Sequence, residues 1–143
     1  MQDKRVALLT GANQGVGFQV AKALVANGLT VLVGTRDFMR GEAAAQEIGP
    51  GAIPIQLDVM DRVSIAAAAE RIRTELGGLD LLIQNAAISN TRKGSLSLQE
   101  YGKISRASNA SLDEVRTVWE TNVFGVLAVY QAMLPLLRES SDA

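Results

Sequence analysis

The chain has 143 residues, of which 48% are hydrophobic, and a formal net charge of −1. It is long enough for one domain with a buried core and too short for two, and its few aromatics and lack of excess positive charge argue against nucleic-acid binding. The sequence contains no His and no Cys, which excludes imidazole and thiolate chemistry and most transition-metal sites within these residues. No long uncharged apolar stretch indicates a membrane span. We therefore expect no metal, nucleic-acid or membrane partner, and a cytoplasmic location.

The first element predicted along the chain is an apolar strand at residues 5–10, followed by glycines spaced G-x-x-x-G-x-G. Gly11 would make the tight turn out of the strand, and Gly15 would let the backbone approach a pyrophosphate. Gly17 would let the next helix lie close to the sheet, with its free N–H groups directed at phosphate. A glycine-rich turn alone is weak support, because many such turns are glycine-rich for steric reasons only.

The next segments complete a strand-helix-strand unit, with a helix at 17–26 and a strand at 30–34. A dinucleotide fold places the group that reads the adenosine ribose about twenty residues past the glycines. Here that position holds Thr35 and Arg36 rather than an acid. Arg36 offers a planar cation suited to the 2′-phosphate of NADP, which favours NADP over NAD. The alternative is that Arg36 is only a solvated residue at a helix entrance.

The remaining pattern predicts strands at 53–57 and 79–83, and helices at 39–48 and 62–76. Alternating helices and near-continuous apolar strands are typical of a parallel sheet covered on both faces. Right-handed crossovers then give strand order 3-2-1-4, with the ligand at the switch point between strands one and four. The predicted fold class is therefore α/β, a Rossmann-like doubly wound sheet within a single domain at 1–143. Asp61 is a predicted cap for the third helix.

A polar loop at 89–110 follows the fourth strand and is longer than most connections. We interpret it as a substrate-side lid, with disorder as the alternative. Its cations Lys93, Lys103 and Arg106 would bias it towards anionic substrates, but we favour their interpretation as solvated surface. Ser111 and Glu114 form a predicted capping box that begins a last helix running to about residue 138, in which Pro135 should kink or end the regular part.

Four motifs in this order resemble the short-chain dehydrogenase/reductase family over nearly the whole chain. They are T-G-x-x-x-G-x-G at 10–17, L-D-V at 57–59, Q-N-A-A at 84–87 and N-V-F-G at 122–125. The likeness is strongest to the carbonyl-reductase-like, NADP-preferring members, and it implies a small-molecule carbonyl substrate. It also implies that Asp58 accepts from the adenine amino group and that Asn122 is the structural and catalytic asparagine. The implied cofactor-binding residues are Gly11, Asn13, Gln14, Gly15, Val16, Gly17, Arg36, Asp58, Val59, Asn85, Ala86 and Ala87.

Two departures from the family pattern concern the cofactor. Gln14 stands where NADP-preferring members commonly carry Lys or Arg, which removes one of two expected phosphate contacts. Gln84 and Ala87 replace the first Asn and the Gly of N-N-A-G, and the methyl group of Ala87 would narrow the pocket.

A third departure is that the family's catalytic Ser and Y-x-x-x-K are absent from these residues. Tyr101 is followed at the fourth position by Ser105, and Tyr130 by Leu134. Two hypotheses follow. The chain is either an NADP-dependent carbonyl reductase whose catalytic half lies elsewhere, or a non-catalytic module that binds NADP or a partner. The motifs at Asp58, Asn85 and Asn122 argue against an S-adenosylmethionine-dependent methyltransferase, and the lack of a Walker A motif excludes a P-loop NTPase.

The last helix is apolar over much of its circumference, so we expect it to be buried on more than one face. In the resembled family this helix contributes to a dimer interface. We therefore expect a homo-oligomer through 112–138, or pairing of that face and of the open edge of strand four with a missing C-terminal half.

Overall fold

The computed structural model describes residues 4–92 and 94–141, and within them the chain forms a four-stranded parallel sheet in the order β3-β2-β1-β4. The strands are β1 Val6–Thr10, β2 Thr30–Thr35, β3 Ala52–Gln56 and β4 Leu81–Gln84. The sheet helices are α1 Gly15–Ala26, α2 Phe38–Ile48 and α3 Arg62–Leu76. The Rossmann-like doubly wound α/β fold and its strand order are as the sequence predicts.

The sheet separates two apolar cores because successive side chains of a strand point to opposite faces. Ala7 and Leu9 pack with α1 and α2 on one face, whereas Leu8 packs with α3 and the last helix on the other. All three side chains are fully buried. Burial on both faces explains why the strands read as continuous apolar runs.

Asp80 precedes the edge strand β4 and ties it to the beginning of β1. One carboxylate oxygen of Asp80 accepts the Val6 N–H at 2.7 Å, and the other accepts the Ser140 hydroxyl. This one side chain therefore joins the beginning of β1, the entry to β4 and the end of the last helix.

The last helix is continuous from residue 112 to residue 139 and has three parts: α5 Leu112–Trp119, a π-helical segment Glu120–Gly125, and α6 Val126–Glu139. Pro135 lies inside α6, so of the two predicted outcomes, a kink or an end of the helix, the second is wrong. The residues on either side explain this result. Met133 and Leu136 are fully buried and hold the backbone, while Gln131, whose carbonyl loses its donor, lies on the exposed side.

By length and composition alone, the helix Leu112–Glu139 could also cross a membrane, a possibility that the sequence reading did not foresee. In the structure α6 packs on α3 and β4, and buries Val129 and Met133 completely. These contacts place one face of α6 in the core.

The segment 89–110 is more regular than expected. It contains a short helix, α4 Leu98–Ile104, and a 3₁₀ turn Ala107–Asn109. Ser97 caps α4 through the Glu100 N–H, and the Glu100 carboxylate accepts the Ser97 N–H in return. Predicting this segment as an irregular loop is therefore wrong for 98–104. Lys93 lies outside the described residues.

Candidate cofactor site

The glycine turn between β1 and α1 has the shape that the sequence predicts. Gly11 and Gly15 have φ angles of 65° and 61°, in the left-handed region that favours glycine. A Cβ on Gly17 would lie 2.5 Å from both the Asn85 amide nitrogen and the Gly11 carbonyl oxygen. Gly17 thus allows the start of α1 to approach the loop that follows β4.

The N-terminus of α1 is left open at this turn. Gln14 occupies the N-cap position in extended conformation, and its side chain caps no N–H group of the helix. A Cβ placed on Gly15 would meet nothing within 4 Å. Uncapped N–H groups at the positive end of a helix form a site for an anion such as a pyrophosphate. The residues present fit the diphosphate of a dinucleotide.

Thr10, at the end of β1, links this turn to β4. Its hydroxyl oxygen is buried and accepts the backbone N–H groups of Asn85 and Ala86, each at 3.1 Å. The Asn85 side-chain amide donates to the Gly11 carbonyl at 3.1 Å. These three hydrogen bonds hold the T-G and Q-N-A-A motifs against each other. The sequence reading gave Thr10 no role, although a hydroxyl at the end of an otherwise apolar strand was the available signal.

Asn122 connects the same loop to the last helix. Its side-chain oxygen accepts the Ile88 N–H at 2.9 Å, and its side-chain nitrogen donates to the Ile88 carbonyl at 2.7 Å. Asn122 lies in the π-helical segment, a type of helix found often at functional sites. Both polar atoms of this amide are thus engaged in holding the chain just beyond Ala87.

Arg36 and Asp58 line one groove of about 490 Å³ at the β3 edge of the sheet. Arg36 is exposed there. One carboxylate oxygen of Asp58 accepts the Met60 N–H at 2.9 Å, and the Asp58 backbone N–H donates to the Ser64 hydroxyl at the same distance. Asp61, as predicted, caps α3 by accepting the Val63 N–H.

The other predicted contacts differ in their accessibility. Val59 is buried in the core between the sheet and the helices α3 and α6. The last helix also packs closely against it, since a Cβ on Gly125 would lie 2.8 Å from the Val59 carbonyl oxygen. Val16 and Ala87 are exposed, and Asn13 is half-buried in the glycine turn. Among the described residues, no group of three or more His, Cys, Asp or Glu side chains could hold a metal ion.

Only half of the capping box predicted at the start of α5 forms. Ser111 is the N-cap residue and accepts the Glu114 N–H, but the Glu114 carboxylate accepts the backbone N–H and the hydroxyl of Thr91 instead of turning back to Ser111. The bond from the Thr91 backbone N–H, then that from its hydroxyl, lower the pKa of Glu114 below its ordinary value.

Known proteins share this arrangement. The family model described as short chain dehydrogenase matches residues 5–143. The chain is 36% identical over 142 residues to a short-chain dehydrogenase of Penicillium roqueforti, and the alignment covers 96% of this chain and 51% of the relative. It is also 36% identical over 138 residues to a carbonyl reductase of Bos taurus whose name specifies NADPH, covering 93% of this chain and 45% of the relative.

A solved structure gives the same result. The 3-ketoacyl-(acyl-carrier-protein) reductase of Brucella melitensis, complexed with NADH, is similar at a TM-score of 0.81 and 27% identity, and covers 97% of this chain and 52% of that one. The chain spans about half the length of the curated relatives it matches. The family model spans nearly the whole chain and the solved structure shares its fold, so the chain belongs to the short-chain dehydrogenase family.

Proposed function

We propose that this chain forms the NADP(H)-binding part of an oxidoreductase that transfers hydride between the nicotinamide and a small carbonyl or alcohol substrate. The observation that carries the proposal is the set of three hydrogen bonds accepted by Thr10 and Gly11, which join the turn before the open N-terminus of α1 to the loop after β4. A ligand bound at the switch point of the sheet contacts both of these edges.

When bound, a nicotinamide dinucleotide supplies the hydride, and the residues of this chain supply binding and orientation. The open turn of α1 would hold the diphosphate. The loop 85–87 would support the nicotinamide ribose. Thr10 holds the beginning of this loop, and Asn122 holds Ile88, which follows it. We assign Asn122 a holding role in this arrangement, because both of its amide atoms are bonded to Ile88.

The preference for NADP(H) rests on Thr35 and Arg36. The Thr35 side chain is buried and its hydroxyl accepts the Asp37 N–H at 3.3 Å, and Thr35 lacks the carboxylate that binds the ribose hydroxyls of NAD. Arg36 is exposed on the groove that it shares with Asp58. The bovine relative named for NADPH supports this choice, whereas the Brucella reductase complexed with NADH shows that relatives also accept the other cofactor.

These 143 residues contain no His, no Cys and no Y-x-x-x-K. Reduction of a carbonyl needs a proton donor as well as a hydride, and loss of general acid catalysis costs about two to four orders of magnitude in rate. We therefore assign cofactor binding to these residues and no proton transfer. We expect residues 1–143 alone to oxidise NADPH only weakly with aldehydes or quinones.

Titration of both cofactors tests the proposal. The unmodified chain should bind NADPH more tightly than NADH, and Arg36→Ala should lower that preference by about tenfold to a hundredfold, because a hydrogen bond between charged groups contributes about 1.5–3 kcal/mol. Arg40→Ala is the matched control, since Arg40 is an exposed arginine in the first turn of α2 that pairs with Asp37 at 3.5 Å. Equal affinity for the two cofactors would contradict the NADP assignment, and binding of neither would contradict the cofactor site itself.

We also propose self-association through the last helix. Exposed apolar side chains lie along 112–130, among them Trp119, Phe124 and Leu127, each about half exposed. A contiguous apolar surface of this kind is typical of an interaction site. Light scattering after size-exclusion chromatography should show a dimer or larger species, which Leu127→Lys should dissociate. A monomer at micromolar concentration would refute this interface.

A cytoplasmic location of the protein remains a prediction.

A further inference from the structure

Residues 88–92, which we call the strap, are attached to the last helix at two points. Asn122 holds Ile88 through two hydrogen bonds, and the Glu114 carboxylate holds the backbone N–H and hydroxyl of Thr91. Later strap residues meet earlier helix residues, so the strap runs antiparallel to the helix.

The strap is bent, at Ser89 and again at Thr91. Glu114 and Asn122 are eight residues apart, which is about 12 Å along a helix at 1.5 Å per residue. Ile88 and Thr91 are separated by three residue steps, which reach about 10 Å at most. The side chains of Glu114 and Asn122 span the remaining distance, so the path of the strap depends on where these two groups hold it.

Asn90 lies between the two attachments and is 8% exposed. Neither its amide nitrogen nor its amide oxygen has a hydrogen-bond partner within the described part of the chain. Burial of an unpartnered amide is unfavourable. The observed position of the strap therefore depends on the hydrogen bonds at its two ends.

Of the two attachments, the one at Glu114 depends on charge. The carboxylate accepts two hydrogen bonds from Thr91, of which the hydroxyl bond measures 2.8 Å. Arg92 adds an attractive charge beside it. On α5 itself, Asp113 and Arg116 pair with each other at 2.8 Å. Lys93 lies outside the described residues.

We propose that Glu114 is a positioning residue, which holds the strap against the last helix and so fixes the part of the site wall that follows the cofactor loop 85–87. This role rests on the proposed function, because it places the strap on the substrate side of a bound nicotinamide. The attachment itself is a property of the structure and can be tested without any turnover.

The test compares Glu114→Gln with Glu100→Gln by amide hydrogen exchange and NADPH binding. Glu100 is a matched control, since its carboxylate likewise accepts both the N–H and the hydroxyl of a residue, Ser97, although Glu100 is exposed and Glu114 is half-buried. Glu114→Gln should increase exchange at Thr91 about tenfold, because the neutral amide offers one acceptor oxygen in place of two charged ones. Glu100→Gln should leave exchange at Thr91 unchanged.

The fluorescence of bound NADPH is a second measurement, and a loss of stability alone would not change it. At saturation, Glu114→Gln should lower the fluorescence of bound NADPH, since the nicotinamide loses a fixed wall, while the dissociation constant stays within twofold. Unchanged Thr91 exchange in Glu114→Gln, or an equal increase in Glu100→Gln, would overturn the proposal. Unchanged fluorescence despite faster exchange would overturn the positioning role.

A pH series of the unmodified chain gives the same test if the variant fails to fold. The pKa of Glu114 is lowered from 4.5 in the folded state, so protection of Thr91 should be complete above pH 4.5 and lost as the pH falls further. Protection that does not change with pH in this range would contradict the proposal. Failure of the unmodified chain to bind NADPH would instead refute the proposed function, because the attachment would still be measurable.

Discussion

Replacement of Gly17 by alanine is the most direct test of how closely α1 approaches the loop after β4. The new Cβ would lie 2.5 Å from the Asn85 amide nitrogen and 2.5 Å from the Gly11 carbonyl oxygen, about 1 Å closer than van der Waals contact allows. The Gly11 oxygen belongs to the backbone and Asn85 donates to it at 3.1 Å. The substitution must therefore move the turn, break this hydrogen bond, or do both.

The expected magnitude is a balance of three effects. Overpacking costs about 1–3 kcal/mol, and loss of a hydrogen bond that leaves its partners unsatisfied costs about 1–3 kcal/mol. Alanine in place of glycine within a helix returns about 0.5–1 kcal/mol. The net loss of unfolding free energy should be about 2–4 kcal/mol, which corresponds to a fall in Tm of roughly 6–15 °C for a chain of this size.

The assay is thermal unfolding with and without NADPH, with Gly102→Ala as control. Gly102 lies in α4, and a Cβ there would meet nothing within 4 Å, so this variant should be as stable as the unmodified chain or slightly more stable. Gly17→Ala should also weaken NADPH binding at least tenfold, because the displaced turn carries the open N–H groups of α1. A Gly17→Ala variant with unchanged Tm and unchanged affinity would refute the close approach and the site built upon it.

Three further outcomes are expected. Thr10→Val should lower the unfolding free energy by about 2–4 kcal/mol in urea titrations, because two buried N–H groups lose their acceptor, while Thr10→Ser should recover most of it; equal stability of the two variants would show that the hydroxyl is dispensable. Asp61→Ala should cost about 1 kcal/mol by the same measurement through loss of the α3 cap, without altering NADPH affinity, and a cost near zero would remove the cap from the account. Asp58→Asn should weaken NADPH binding in calorimetric titration if this carboxylate accepts from adenine; loss of stability at constant affinity would leave it only its structural bond to Met60.

Local patterns in the sequence were sufficient to predict the sheet. The apolar runs of β1 and β2 and the glycines at 11, 15 and 17 each follow from short-range chemistry, and the observed bounds differ from the predicted ones by one or two residues. The helix α4 was also detectable, since Ser97 and Glu100 have the same S-x-x-E spacing as Ser111 and Glu114. The polar residues around it obscure this signal.

Other features depend on contacts between distant parts of the chain and could not be predicted in this way. Glu114 bonds to Thr91, 23 residues away, in preference to its local partner. The Thr10 hydroxyl serves two N–H groups that lie 75 and 76 residues further along the chain. A helical pattern indicates period and length, but it does not show which of several polar partners a side chain will meet after folding.

The π-helical turn at Glu120–Gly125 has a consequence for the helix as a whole. A π turn contains one residue more than an α turn, and each residue advances a helix by about 100°, so the residues before the bulge are rotated by about that angle relative to those after it. Glu114 and the buried residues of α6, such as Met133, therefore belong to two different helical phases. Deletion of one residue within 120–125 would restore the regular α-helical repeat. It would also turn Glu114 away from Thr91 while Met133 kept its place in the core, so the bulge acts as the rotational offset between the part of the helix that faces the site and the part that supports the sheet.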